Sequence, residues 1–149
     1  MSLRRYDNDV KLEKLGRFAS AAAKETAPGK PVSVLNTVKT AHKHLGFIKS
    51  VMQDATAYAE AHVSIPQGAE WLLDNWYIAE REGKSAARDL KAAKRLNESL
   101  GRRHELVVVY AAEALIASGG GCVTAERVET YLDAFQEEIC LSEGELSVF

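Results

Sequence analysis

Apolar side chains recur every three or four residues along two long stretches of this chain, and that spacing restricts the fold to packed helices. In the first stretch, Leu35, Val38, Ala41, Leu45, Ile48, Met52, Ala55 and Ala59 keep one stripe, opened by Pro31 and Ser33. It predicts a helix over 33–62, with Gly46 tolerated inside it at about 1 kcal/mol. Ile65-Pro66 marks the next boundary, and Pro suits the first turn of a following helix. On that third helix Ala69, Leu72, Leu73, Trp76, Ala79, Gly83, Ala86, Ala87 and Leu90 fall on one side at about 100° per residue. Trp71 and Ile78 form a second, narrower strip away from it. The helix therefore carries more apolar surface than a two-layer packing uses.

Shorter segments flank this pair. Asp7, Asn8 and Asp9 are good N-cap types ahead of Val10, Leu12, Leu15, Phe18, Ala19, Ala22 and Ala23, so a first helix is expected over 8–26, stopped by Pro28-Gly29. Lys91 to Arg103 is strongly basic and is expected to prolong the third helix as a solvated end, fraying near Gly101. Glu105 to Ser118 reads as a fourth helix closed by Gly119-Gly120-Gly121. Its Val107-Val108-Val109 run suits a strand, but the alanines that follow and the glycine stop favour helix. Thr124 caps a fifth helix with the stripe Val128, Tyr131, Leu132, Phe135 and Ile139, ending near Cys140. Ser142 and Glu145 then have the Ser-x-x-Glu spacing of a capping box, announcing a sixth helix whose body is missing, with Leu146, Val148 and Phe149 left exposed. The expected fold class is all-α, with five to six helices in a mainly antiparallel bundle whose last helix is truncated. Residues 4–149 are expected to form a single domain behind a cloning remnant, Met1-Ser2-Leu3.

Bulk properties exclude several functions. Nineteen basic and twenty-one acidic side chains give a net charge of −2, which offers no long-range attraction for nucleic acid or an anionic membrane. No run approaches the ~20 apolar residues of a bilayer span, and Arg4-Arg5 leads into no apolar signal core, so no direct membrane insertion is expected. Cys122 and Cys140 lie far apart, outside any Cys-x-x-Cys pattern, and read as partly buried thiols in a reducing compartment.

Catalytic chemistry is not legible. The sequence has no Gly-x-Ser-x-Gly elbow, and its glycine triplet lacks the Lys-Ser/Thr ending of a P-loop. His42 and His44, at i, i+2, point to different helix faces, while His62 and His104 are isolated, so metal ligation is not expected. Glu70, Asp74, Glu80 and Glu82 form an acidic grouping on the third helix, where a solvated face outweighs acid–base work on a sugar. Trp71, Trp76 and Tyr77 invite a sugar-stacking reading, but Trp76 belongs to the core stripe and Trp71 suits packing against another helix or domain. No catalytic residue, cofactor or metal is therefore expected.

The segment from Pro66 to Leu90, PQGAEWLLDNWYIAEREGKSAARDL, resembles part of the N-terminal cytoplasmic region of bacterial cyclic β-1,2-glucan synthases. Glu70, Trp71, Leu72, Leu73, Asp74, Asn75 and Trp76 carry that resemblance, with Ile78, Glu80, Arg88, Asp89 and Leu90 after them. Val109-Tyr110-Ala111, the stretch from Val128 to Glu137 and Leu141-Ser142-Glu143-Gly144-Glu145-Leu146 are similar to later family segments. The charged stretch from Lys91 to Arg103 departs from the proline- and tyrosine-containing linker of the family. The resemblance implies a membrane-bound parent that polymerises glucose from a UDP-sugar with a metal, its chemistry lying outside this segment. This chain would then be a non-catalytic cytoplasmic scaffold docking on other domains of the parent, through Trp71 and Ile78 and through Leu146, Val148 and Phe149. A free-standing helical interaction module and a small sugar-binding module are the alternatives. Exposed apolar ends would also let the isolated domain pair with itself as a homodimer.

Overall fold

A computed structural model describes residues 10–26, 32–93, 96 and 105–149. Six helices follow in order: α1 Leu12–Lys24, α2 Val34–Glu60, α3 Gln67–Ala92, α4 Val107–Ser118, α5 Ala125–Gln136 and α6 Glu143–Leu146. The described residues contain no strand, and the chain is all-α. Residues 4–149, expected as one domain, group into two compact units: Val34–Ala92, and the segments Met1–Ser33 and Ala93–Phe149 together.

The first unit is a helical hairpin. Leu45 of α2 meets Gly83 of α3, Lys49 acts electrostatically on Glu80, and Ala59 lines one depression with Glu70 and Leu73. Each step along α2 is matched by a step back along α3, so the two run antiparallel. A Cβ on Gly83 would fall 2.8 Å from a methyl of Leu45, so the glycine seen in the core stripe admits the Leu45 side chain. Burial follows the predicted stripes, with Val38, Ala55, Ala87 and Leu90 at its deepest points. Three stripe positions depart from expectation: Leu35, Ala59 and Ala86 are exposed. They lie in the outer turns of their helices or on the edge of the stripe, where the partner helix does not cover them.

The turn of the hairpin is set by backbone chemistry. At the end of α2 the Val63 amide donates to the Tyr58 carbonyl (2.9 Å) and the His62 amide to the Ala59 carbonyl (3.0 Å). This is the Schellman arrangement, whose C′ residue must be left-handed; His62 takes that role with φ 56°. Pro66 follows, and its carbonyl accepts from the amides of Ala69 and Glu70 at the start of α3. α3 stops at Ala92, short of the predicted extension: Ala93 and Leu96 are non-helical, and Lys94, Arg95 and 97–104, with Gly101 and His104, lie outside the described residues.

The second unit packs α1, α4 and α5 around Leu15, Ala19, Ala22, Ala23, Val107, Ala111, Ala114, Leu115, Tyr131, Phe135 and Leu141. Gly16 of α1 sits 3.7 Å, by its ideal Cβ, from Ala134 of α5, and Ser20 donates to Glu138 at 2.7 Å. Both contacts advance together in sequence, so α1 and α5 run parallel. Small residues at the contact let the axes approach. α4 runs opposite to both. Its C-terminal Ser118 carbonyl accepts from the Val10 amide (2.8 Å), and Tyr110 near its start donates to Glu25 beyond the end of α1 (3.0 Å). Arg127 ties three segments, donating to the Val10 carbonyl (2.9 Å) and the Ser118 hydroxyl (3.1 Å) from the first turn of α5.

Caps behave unevenly. Thr124 accepts from the Arg127 amide, and α4 ends in the same Schellman motif as α2, with Gly120 (φ 56°) at C′. The capping box forms in both halves: the Glu145 amide donates to Ser142 Oγ (3.2 Å), and the Ser142 amide to Glu145 Oε2 (2.8 Å). α1 instead begins after Lys11, which caps with no side chain; Asp7, Asn8 and Asp9 lie outside the described residues. α5 closes at Gln136 rather than near Cys140, because the amides of both Glu138 and Ile139 turn onto the Phe135 carbonyl. Cys122 and Cys140, expected partly buried, are both exposed, one in the turn after α4 and the other beyond α5.

Replacing His62 by Gly removes a side chain from a left-handed position and is expected to raise stability by about 1 kcal/mol, whereas Gly120→Ala should lower it by a similar amount. Urea unfolding followed by helical circular dichroism reads both. Phe135→Ala, at a side chain with no exposure, should cost ~3–5 kcal/mol in the same assay.

Candidate docking surface

Two strips of the hairpin project on one flank. On α2, Phe47, Val51 and Tyr58 fall within about 40° of one another and about 110° from the stripe that meets α3. On α3, Trp71 and Ile78 fall within about 20° of each other and about 120° from the stripe that meets α2. Both offsets have the same rotational sense, and reversing the second helix turns both strips to the same side. The register then sets Val51 beside Ile78 and Tyr58 beside Trp71. Phe47 is 69% exposed, Tyr58 57%, Trp71 59% and Val51 38%, while Ile78 is half-buried.

The opposite flank is charged. Lys84 pairs with Glu80 at 2.8 Å, Lys49 lies nearby, and Arg81 pairs with Glu82 at 2.7 Å around the helix. The Lys84 ammonium, by hydrogen bond and by charge, holds the Glu80 carboxyl below its ordinary range. Tyr77, 64% exposed, sits on this flank with Glu70 and Arg88. Trp71 and Tyr77 are therefore about 120° apart around α3 and form no common stacking platform. The acidic grouping is dispersed too, with Glu80 and Glu82 on opposite flanks. Glu70 and Asp74 line an open depression of about 460 Å³ with Ala59, Val63, Ser64, Ile65 and Leu73.

Of the seven motif residues, Glu70, Trp71 and Asp74 are exposed, and Leu72, Leu73, Asn75 and Trp76 are half-buried. The Asn75 amide donates to the Trp71 carbonyl at 2.8 Å, one turn back. Trp76 lies in the stripe toward α2, as expected, but keeps part of its ring in water. The C-terminal trio divides. Leu146 is 42% exposed, whereas Val148 is half-buried. Phe149, expected to be exposed for docking, packs on the core with its ring 6.4 Å from Tyr131. The reason is the short α6: the Phe149 amide bonds back to the Glu145 carbonyl (3.0 Å), folding the ring inward.

Phe47, Val51 and Tyr58 lie outside the single stripe that the sequence shows along α2. Their i, i+4 and i+11 spacing was the available signal, diluted by Thr40, His44 and Asp54 on the same strip. Among the described residues no group of three or more His, Cys, Asp or Glu is placed to hold a metal ion. His42, His44 and His62 are all exposed. Among those residues, too, no helix is long and apolar enough to cross a membrane. No family model, curated protein or solved structure matches the chain.

Outside the hairpin, one surface carboxylate has a resolved electrostatic role. Glu138 accepts from the Ser20 hydroxyl and pairs with Lys24 at 2.9 Å, and these contacts lower its pKa. A carboxyl whose folded pKa is depressed contributes stability above its unfolded pKa and loses it as pH falls through the folded one. Glu138→Gln should therefore melt slightly below the parent protein at neutral pH, and the gap should close on acidification below the normal carboxylate range. Thermal melts of both proteins across pH 7 to 3 check this.

Proposed function

We propose that the chain is a non-catalytic helical docking module whose hairpin presents one rigid apolar face to another protein surface. The observation that supports this is the union of Phe47, Val51, Tyr58, Trp71 and Ile78 on one flank, opposite a flank carrying Lys49, Glu80 and Lys84. These apolar side chains are interrupted along the flank by Asp54, Asn75 and Glu82, and exposed large apolar side chains grouped within a polar rim mark interaction sites. Aromatic side chains at the patch centre are the usual energetic anchors of an interface.

The parent suggested by the resemblance of Glu70–Trp76 is a membrane-bound, UDP-glucose-dependent cyclic β-1,2-glucan synthase. In that setting the module is a cytoplasmic scaffold, and its partners are other domains of the same chain. The motif supports this setting because its aromatic Trp71 lies on the docking face while Leu72 and Trp76 hold the helix to its neighbour. Reading the gene beyond Phe149 tests it: transferase motifs and membrane spans in the same frame are expected. A stop codon would remove the enzyme and leave a free-standing interaction module.

The docking role predicts a contrast between two tryptophans. Trp71→Ala should change stability by less than about 1 kcal/mol while abolishing association with the partner surface. Trp76→Ala should cost about 2–3 kcal/mol, less than a fully buried aromatic because part of the ring is already wet. Equal, large losses for both in denaturant unfolding would place Trp71 in the core and end the docking reading.

A further inference from the structure

The two units differ in how completely each encloses a core. Among the described residues, the large apolar side chains that are fully buried, Leu15, Leu106, Val107, Val108, Tyr131 and Phe135, all belong to the unit of α1, α4 and α5. The core cluster there, with the partly buried side chains packed on it, is drawn entirely from residues 10–23 and 107–149. Polar contacts close the same unit: Arg127 reaches the Val10 carbonyl and the Ser118 hydroxyl, and Glu138 holds Ser20 and Lys24. The Tyr110 hydroxyl donates to Glu25 at 3.0 Å, which sets the end of α1 beside the start of α4. The chain therefore departs toward α2 and comes back from α3 at one end of a unit that is already complete, the arrangement of an inserted element.

The hairpin has the opposite character. A unit of about 60 residues is marginal even when well packed, and here only Val38, Ala55, Ala87 and Leu90 are buried. Three of those four are alanine or valine, which remove little apolar area from water. Trp76, the largest side chain of the stripe, keeps part of its ring exposed, and Phe47, Tyr58 and Trp71 lie largely in water. Ion pairs do not compensate, since Lys84–Glu80 and Arg81–Glu82 are at the surface, where such pairs contribute little. The tip adds His62 in left-handed backbone, φ 56°, which a non-glycine residue holds only at a cost. Segments with few buried apolar contacts open at lower free energy than a well-enclosed core.

We propose that the α2–α3 hairpin is a separate cooperative unit inserted into a self-sufficient core of α1, α4 and α5, and that it opens and closes while that core stays intact. The apolar flank of α2 and α3 then exists as a surface only while the hairpin is closed. This holds whether or not that flank docks a partner. Native-state hydrogen exchange of the whole chain in low urea, read amide by amide by NMR, is the test. The slowest amides of α2 and α3 should share one opening and exchange at least about tenfold faster than the slowest of α4 and α5. Trp76→Ala should speed exchange throughout α2 and α3 by about 30-fold or more and leave α1, α4 and α5 unchanged. Should that variant unfold the hairpin outright, α4 and α5 are expected to keep the protection they have in the parent protein. Phe135→Ala should speed exchange in α1, α4 and α5 by about 100-fold or more and leave the hairpin unchanged. Hairpin amides as slow as those of α5 would overturn the proposal. So would either variant speeding exchange in both units, or unfolding the whole chain.

Discussion

A pair of helices can bury only the side chains between them, and this limit governs the hairpin. α2 and α3 are 27 and 26 residues long, yet full burial reaches only Val38, Ala55, Ala87 and Leu90. The remaining stripe residues are half-covered or, at Leu35, Ala59 and Ala86, exposed. Helical stability in water comes mainly from tertiary packing of an amphipathic face, so a hairpin that also exposes three aromatic rings on one flank, Phe47, Tyr58 and Trp71, leaves much of its stabilising surface unused. A second layer over that flank would cover the rings and shield the edge of the α2–α3 seam at once. The same residues thus bear on stability and on the proposed docking.

The other unit meets the limit differently. Three helices and the short α6 surround Tyr131 and Phe135, whose rings stack at 5.7 Å, and Phe149 adds a third layer to that stack. Alanines and a glycine on α1 let it approach α5 closely, and the parallel direction of that pair is made possible by α4, which returns the chain between them. Arg127 then fastens Val10 to the end of α4, so Val10 is held by hydrogen bonds as well as by its packing on the core.

Much of this was legible because period and punctuation are local properties. The stripes of α2, α3 and α5, the Thr124 cap, the Ser142–Glu145 box and the glycine stop after α4 all follow from residues within a few positions of one another. What was hidden depended on neighbours distant in sequence. Nothing local marks α1 and α5 as parallel, since that follows from Gly16 meeting Ala134. The inward fold of Phe149 needs the Tyr131 ring, and the exposure of both cysteines needs to know which turns are covered. The proposed docking face was half legible: the Trp71–Ile78 strip was visible on α3 alone, but its union with Phe47, Val51 and Tyr58 required the register of the hairpin. That register in turn depends on a turn in which His62 does what glycine ordinarily does.

That turn also bears on the docking proposed for the face. A docking surface made of two helices in fixed register loses little conformational entropy when it binds, because its rotamers are already restricted by the helix and its neighbour. Trp71 and Tyr58 lie close to the Schellman turn, and the Tyr58 carbonyl is itself an acceptor in it. The backbone that ends α2 therefore holds one of the aromatic anchors in place, and the strained His62 lies four residues from it. Glycine at position 62 would relieve the strain but would also widen the conformations open to the unfolded turn. The balance between a relaxed turn and a pre-set aromatic rung is thus decided within one hydrogen-bonded loop, at the end of the hairpin where the face is most apolar.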